Sequence, residues 1–419
     1  MSFHTELAPR PAAIPRWLSI VGIGEDGVDG LGALARELIR SADIVFGGSR
    51  HLSLAAPLIR GTTRPWLRPF ELNVAEVLAL RGQAVCVLAS GDPFLHGVGN
   101  LLAGHVAAEE TTVAPVPSAF SLAASRLLWP LAHIARISLC GCPVDLLRPH
   151  LHPGARLLAL TSDEHTPAAI ARLLVATGFG ESRLIVLEAL AGPREKVRSV
   201  RACDFDLENI DRLNTVAIEV VAGAQARILA RASGLADALF EHDGQITKRE
   251  VRALTLSALA PQHAELLWDV GAGSGSVAIE WLLADSSLTA IAIEHRADRA
   301  ARIMRNASAF GVPHLQLIEG SAPQALEGLP APDAVFIGGG ATAPGLVDTV
   351  QLALRSGGRL VVNSVTLETE AILLQRYAQV GGTLTRIDIA HADGIGGQHA
   401  RLSGWRPAMP IVQWRWVKP

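Results

Sequence analysis

Short apolar runs closed by glycine-bearing turns alternate with amphipathic stretches along the first half of the chain. Residues 17–22 (WLSIVG) read as a buried strand ending in the turn Gly22-Ile23-Gly24-Glu25-Asp26-Gly27, after which Leu31, Leu34, Ala35 and Leu38 recur at helical spacing. Further strands are expected at 43–46, 84–88, 156–160, 183–187 and 215–221, several of them stopping at turn-forming segments such as Gly47-Gly48 and Ser90-Gly91-Asp92-Pro93. Strands that alternate with helices predict an α/β fold. Between Gly223 and about Gly244 the chain carries no strand signal, which places a domain boundary there and divides the chain into 16–223 and 236–419. The second half predicts a helix capped at Thr247, strands at 266–270, 289–293, 315–318, 334–337 and 359–363, and helices from Ser276 and Ala297. This is the pattern of a doubly wound sheet, in which ligands meet the loops at the carboxyl ends of the strands.

A length of 419 residues is enough for about two or three domains. Apolar residues make up 49% of the chain and charged residues 18%, a balance that excludes disorder. The formal net charge of -3 leaves no global field to hold a nucleic acid, and a 5% aromatic content offers few stacking platforms. A small-molecule substrate is therefore expected. The first twenty residues hold no signal-like apolar run, and no stretch is long and apolar enough to span a membrane, so the expected location is cytoplasmic, without membrane association. Cys86, Cys140, Cys142 and Cys203 lack the spacing of a zinc or redox motif. They are expected to be inert, buried or partly buried thiols, and no metal is expected.

Chemistry enters with Asp269-Val270-Gly271-Ala272-Gly273-Ser274-Gly275-Ser276, which follows a predicted strand and opens a predicted helix. A dinucleotide site wants G-x-G-x-x-G, whose third glycine would fall at Ser276. The G-x-G-x-G spacing here, with an acid two positions earlier, resembles motif I of Rossmann-like S-adenosylmethionine methyltransferases. Glu294, at the end of the next strand, stands where a carboxylate accepts the ribose hydroxyls of an adenosine. Ser321 and Ala322, after the third strand, stand where such enzymes hold the adenine edge. The triplet Gly338-Gly339-Gly340 allows close backbone approach to a bulky ligand.

The run from EHDGQITKREVR through DVGAGSGSVAIE, AIEHRADRAARIMRNASAFGV, EGSAPQALEGLPAPDAVFIGGG and LVVNSVTLET is similar to the decarboxylating precorrin methyltransferases. The first half carries VGIGEDG, SADIVFGGSRHL, ASGDPFLHGVG, PVPSAFSLAASRLLWP, VLEALAGPREKV and LNTVAIEVV, which resemble the tetrapyrrole methylase family. The resemblance implies an N-terminal tetrapyrrole-methylase fold of two α/β subdomains, fused to a C-terminal Rossmann-like class I methyltransferase. It further implies S-adenosyl-L-methionine as cofactor, methylation of a precorrin at carbon 5 by the first domain and at carbon 15 by the second, and loss of the ring-C acetate carboxylate, in cobalamin biosynthesis.

The candidate cofactor contacts are Thr247, Asp269, Gly271, Gly273, Ser274, Gly275, Glu294, Ser321, Ala322 and Gly338 in the second half, and Gly91, Asp92, Ser118 and Ala119 in the first. A polycarboxylate substrate needs local cations and close backbone approach. Lys248, Arg252, Gly339, Asn363, His399 and Arg401 are the candidate substrate contacts, and HADGIGGQHARLSGWR is a candidate lid. No residue is singled out as catalytic, and a homo-oligomer is expected. The alternative reading is a nucleic-acid methyltransferase with a non-catalytic N-terminal module, which would need a basic surface that the charge balance does not supply.

Overall fold

The computed structural model describes residues 16–67, 72–394 and 402–419, so His399 and Arg401 lie outside the described residues. Two compact units are formed, one from Met1–Val144 with His152–Arg227 and the other from Asp145–Leu151 with Ile228–Pro419.

The first unit contains two five-stranded sheets. One is wholly parallel, in the order Thr62–Pro65, Ile44–Gly47, Val85–Ser90, Leu18–Ile23, Thr111–Ala114. Its inner strands are continuous apolar runs because both faces are covered. Val21, Ile23, Cys86 and Leu88 pack on one side with Ala35 and Ile39 of the helix Ala33–Ser41, while Leu18, Ile20, Val85 and Val87 pack on the other with Trp17 and Phe46. The second sheet is mixed, in the order Ala135–Ser138, Arg156–Leu160, Asn214–Glu219, Arg183–Glu188, Lys196–Arg201. Its last strand, KVRSVR, is charged and exposed along one edge, a pattern that discourages pairing with another chain.

The second unit is built on a seven-stranded sheet in the order Gln316–Glu319, Thr289–Glu294, Leu266–Val270, Ala334–Ile337, Arg359–Ser364, Ile411–Val417, Thr383–Ile387. The first five strands are parallel, and Ile411–Val417 inserts antiparallel between Arg359–Ser364 and Thr383–Ile387. Strand order reverses between Leu266–Val270 and Ala334–Ile337, so the crevice at their carboxyl ends is the switch point. Trp281 and Trp414 are fully buried on this sheet, with their indole N–H groups donating to Thr289 O (3.1 Å) and Gly381 O (3.0 Å).

Two expectations need correction. The helix expected from Thr247 runs over Arg249–Leu259 with Lys248 at its N-cap, and no side chain caps it. Cys86 is buried, and burial pushes its thiol up to about 12, but Cys140, Cys142 and Cys203 are exposed rather than partly buried. The segment with the expected lid forms, where described, a two-stranded ribbon of Ala390–Gly394 and Ser403–Pro407. Among the described residues no helix is long and apolar enough to cross a membrane, and no cluster of His, Cys, Asp and Glu could hold a metal ion.

Candidate active sites

In the second unit the glycine turn takes its shape from three left-handed residues, Gly271 (φ +71°), Gly273 (φ +60°) and Gly275 (φ +74°). Each glycine answers a different demand. A Cβ on Gly271 would lie 3.1 Å from the Gly339 carbonyl, so the two strand-end loops need this close approach. A Cβ on Gly275 would meet Ile303 Cγ2 at 2.9 Å, so packing requires glycine here, and Gly275 lies outside the wall of the adjoining cavity. A Cβ on Gly273 would have nothing nearer than Gln245 O at 3.8 Å, so its open side faces a cavity. That cavity measures about 880 Å³ and is walled by the turn from Gly271 to Ser274, by Thr247 and Lys248, by Gly338 and Gly339, and by Asn363. Asn363 is held in place from behind, its Nδ2 donating to Thr255 Oγ1 (2.9 Å) and its Oδ1 accepting from Gln413 Nε2 (3.0 Å).

The two acids beside the turn do not open onto the cavity as expected. Glu294 is 2% exposed, with Oε2 accepting from the Gly273 amide (2.9 Å) and Oε1 from the Arg296 amide (3.0 Å). In this structure the carboxylate braces the glycine turn where a ribose contact was expected. Asp269 is also buried, and its Oδ2 accepts from the Ala278 amide (3.0 Å) in the first turn of the following helix. Asp269 Oδ1 and Ser274 Oγ are buried with no partner among the described residues. Of the two residues only Ser274 lines the cavity beside the open glycine, where its hydroxyl fits a polar ligand group. Ser321 and Ala322 lie outside the cavity wall, and Ala322 packs against the core of the sheet.

Burial pushes the Asp269 carboxyl up from 3.8 to about 7, and the charge of Glu294 adds to the rise. Between those values the folded protein keeps a proton that the unfolded chain has lost, so stability falls as pH rises through this window and levels off above it. Asp269→Asn is expected to remove that decline. Urea unfolding of both proteins at about pH 5 and about pH 8 checks it: wild type should lose stability relative to the variant at the higher pH, and a pH-independent difference contradicts the assignment.

Arg252, expected to grip substrate, is fully buried. It donates from Nε to Glu280 Oε1 (2.6 Å), from Nη1 to Asp237 Oδ1 (3.1 Å), and to the carbonyls of Thr247 and Leu235, with its guanidinium over the Phe240 ring. Four of its five N–H donors are taken, its burial keeps it off the cavity wall, and the residue organises the entry to the helix Arg249–Leu259. A cation that does reach the cavity is Arg299, which sequence reasoning passed over. It donates to Asp243 Oδ2 (2.9 Å) and to Gln245 Oε1 (2.6 Å), and this bonding pulls the Asp243 carboxyl down to about 2. His391 of the ribbon also lines the cavity, whereas Arg406 pairs with Asp393 at 2.9 Å.

In the first unit the loops at the carboxyl ends of Leu18–Ile23 and Val85–Ser90 meet a helix N-terminus. Gly91 (φ +59°) passes so close to the next loop that a Cβ would stand 3.0 Å from Ser118 Cα. Asp92 Oδ1 accepts from the Phe94 amide (2.9 Å), closing the turn, and Ser118 caps the helix Ala119–Leu127 by accepting from the Ser121 amide (3.2 Å). Gly91, Asp92, Ser118 and Ala119 all line one cavity of about 390 Å³. Arg50, His51, Thr161 and Asn214 line it too, and the sequence reading had assigned none of them to a site. The run Ser49-Arg50-His51 directly after Gly47-Gly48 was the available signal.

Residues 18–205 match the family of tetrapyrrole (corrin/porphyrin) methylases, and residues 238–418 match the precorrin methyltransferase domain. A precorrin-6Y C(5,15)-methyltransferase (decarboxylating) of a Sinorhizobium species is 58% identical over 97% of this chain and 98% of its own length. The chain belongs to the precorrin-6Y C(5,15)-methyltransferase (decarboxylating) family. A Mycobacterium tuberculosis relative of the same name is 38% identical over 95% of this chain and 99% of its own. The crystal structure of the C-terminal domain of precorrin-6Y C5,15-methyltransferase from Rhodobacter capsulatus is 48% identical, covering 45% of this chain and all of that one at a TM-score of 0.43. Membership in a precorrin methyltransferase family implies a methyl donor.

Proposed function

We propose that this protein uses S-adenosyl-L-methionine to methylate a precorrin at carbons 5 and 15 and removes the ring-C acetate carboxylate as carbon dioxide, in cobalamin biosynthesis. Residues 16–223 carry the first methylation, and residues 236–419 carry the second together with decarboxylation. The observation that carries this reading is a full-length match to relatives of that name in a chain whose two units each hold a cavity of small-molecule size behind strand-end glycine loops.

The bound cofactor supplies an electrophilic methyl group in each unit. In the second, Gly271, Gly273, Ser274, Gly338 and Thr247 enclose it, while Asp269 and Glu294 keep the turn in shape from beneath. Lys248, Gly339, Asn363 and Arg299 face the substrate side, where the two cations offset the charge of substrate carboxylates. In the first unit Gly91, Asp92, Ser118 and Ala119 form the cofactor end. A reduced tetrapyrrole has electron-rich meso carbons, so the residues mainly align the partners and exclude water. In the decarboxylation the bond to the carboxylate carbon breaks, its electron pair passes into the conjugated ring system toward a protonated ring nitrogen, and carbon dioxide leaves.

Calorimetric titration of the full chain with S-adenosylmethionine tests the reading. Two binding sites per chain are expected. A single site, or none alongside salt-sensitive RNA binding, contradicts it.

A further inference from the structure

The cavity of the second unit has a wall that no cofactor motif accounts for. Ile387, Ile389 and His391 line it while Asp388 and Ala390 do not, which is the alternation of an extended segment with one face to the cavity. Ile411 pairs with Ile387 in the sheet register and so shares that face. The next registered pair is Ala390 with Pro407, so three residues, Ala408-Met409-Pro410, stand opposite two, Asp388-Ile389. The extra residue makes a bulge, across which the Ala408 amide donates to Ile389 O (2.8 Å). Ala408 and Met409 line the cavity there, and Val365 adds to the wall from the end of Arg359–Ser364, the strand on the other side of Ile411–Val417.

Strand order sets this wall apart from the glycine turn. The turn follows Leu266–Val270, and Ile411–Val417 and Thr383–Ile387 are the third and fourth strands from it along the sheet, which is roughly 14 and 19 Å at about 4.8 Å per strand. The far face of Ile411–Val417 is closed, since Val412 and Trp414 belong to the core. On the cavity side Met409 is 70% exposed and Val365 52%, an apolar surface open to a ligand. The same cavity holds the cations Lys248 and Arg299. A ligand that matches both features has an apolar face and an anionic edge. A tetrapyrrole ring bordered by acetate and propionate groups is built that way, whereas the sulfonium and amino-acid end of a methyl donor is not.

We propose that the bound tetrapyrrole lays its ring face on the wall of Val365, Ile387, Ile389, Met409 and Ile411, with His391, Lys248 and Arg299 meeting its peripheral carboxylates. This rests on the function proposed above. Burial of the ring face supplies affinity that has no preferred direction, and the charged edge fixes how the ring is turned toward the methyl donor at the glycine turn.

The test follows carbon dioxide release by the full chain over a range of precorrin concentrations with S-adenosylmethionine saturating, and measures cofactor binding separately by calorimetry. Met409→Asp and Ile389→Asp are each expected to raise the KM for precorrin by about tenfold or more, since each sets an unpaired carboxylate against the apolar ring face. Both cofactor sites should keep wild-type affinity. Met409 is exposed enough for the change to leave the sheet folded, and Met409→Leu, which keeps the apolar contact, should keep the wild-type KM. A wild-type KM in the folded Met409→Asp protein overturns the proposal. So does a loss of cofactor affinity in that variant, which would make the wall part of the cofactor site. A wild-type protein that releases no carbon dioxide from any precorrin overturns the functional reading, and this inference with it.

Discussion

Gly273→Val is expected to abolish cofactor binding in the second unit, and with it the release of carbon dioxide, in a chain that stays folded. Two effects act together. Residue 273 sits at φ +60°, where an L side chain costs about 1–2 kcal/mol and a β-branched one more. That cost is modest beside the stability of a domain. The larger effect is steric: the open side of Gly273 faces the cavity, with no atom nearer to an added Cβ than 3.8 Å, so the valine methyl groups occupy ligand space. Decarboxylation is expected to fall by at least ~100-fold, the scale of loss when reacting partners are misplaced by about 1 Å. Calorimetry should show one remaining cofactor site, and two unchanged sites contradict the placement of the cofactor at this turn.

The second large effect is on stability. Arg252→Leu is expected to destabilise the second unit by about 3–5 kcal/mol, because removing one partner of a buried ion pair leaves the other charge uncompensated. The partner is Glu280, itself 4% exposed, which would keep only the amides of Gly234 and Leu235 as donors at 2.6 and 2.9 Å. The double variant Arg252→Leu with Glu280→Leu should recover part of the loss, since the stranded charge is then gone. Denaturant unfolding measures both. A stable Arg252→Leu protein with a raised KM for the tetrapyrrole would instead return Arg252 to substrate binding.

Arg252 also shows where the sequence stops being readable. A cation at the start of a helix beside a glycine turn looks like a substrate contact, and the chain gives no sign that Glu280, 28 residues later, will stand 2.6 Å from it. Glu294 was placed at the right loop by strand spacing, but its bond to the Gly273 amide depends on how the turn folds back. The buried inner strands were legible because burial on both faces demands unbroken apolar runs: Leu266–Val270, Ala334–Ile337 and Arg156–Leu160 fall where the pattern put them. The edge strands Thr62–Pro65 and Lys196–Arg201 were not, since TTRP and KVRSVR are mostly polar. IVQWRWV at the end of the chain does carry β-branched and aromatic residues, yet its place between two other strands is set by pairing and by no local signal. The hydrogen-bonded group of Glu25, Arg50, His51 and Ser90 in the first unit went unread for the same reason, as its members meet only when the parallel sheet forms.

The most direct test of the account is mass spectrometry of the product formed when the full chain is incubated with a precorrin and S-adenosylmethionine. The expected product has gained two methyl groups and lost one carbon dioxide. A product that gains a single methyl group, or gains both and keeps the acetate carboxylate, contradicts it.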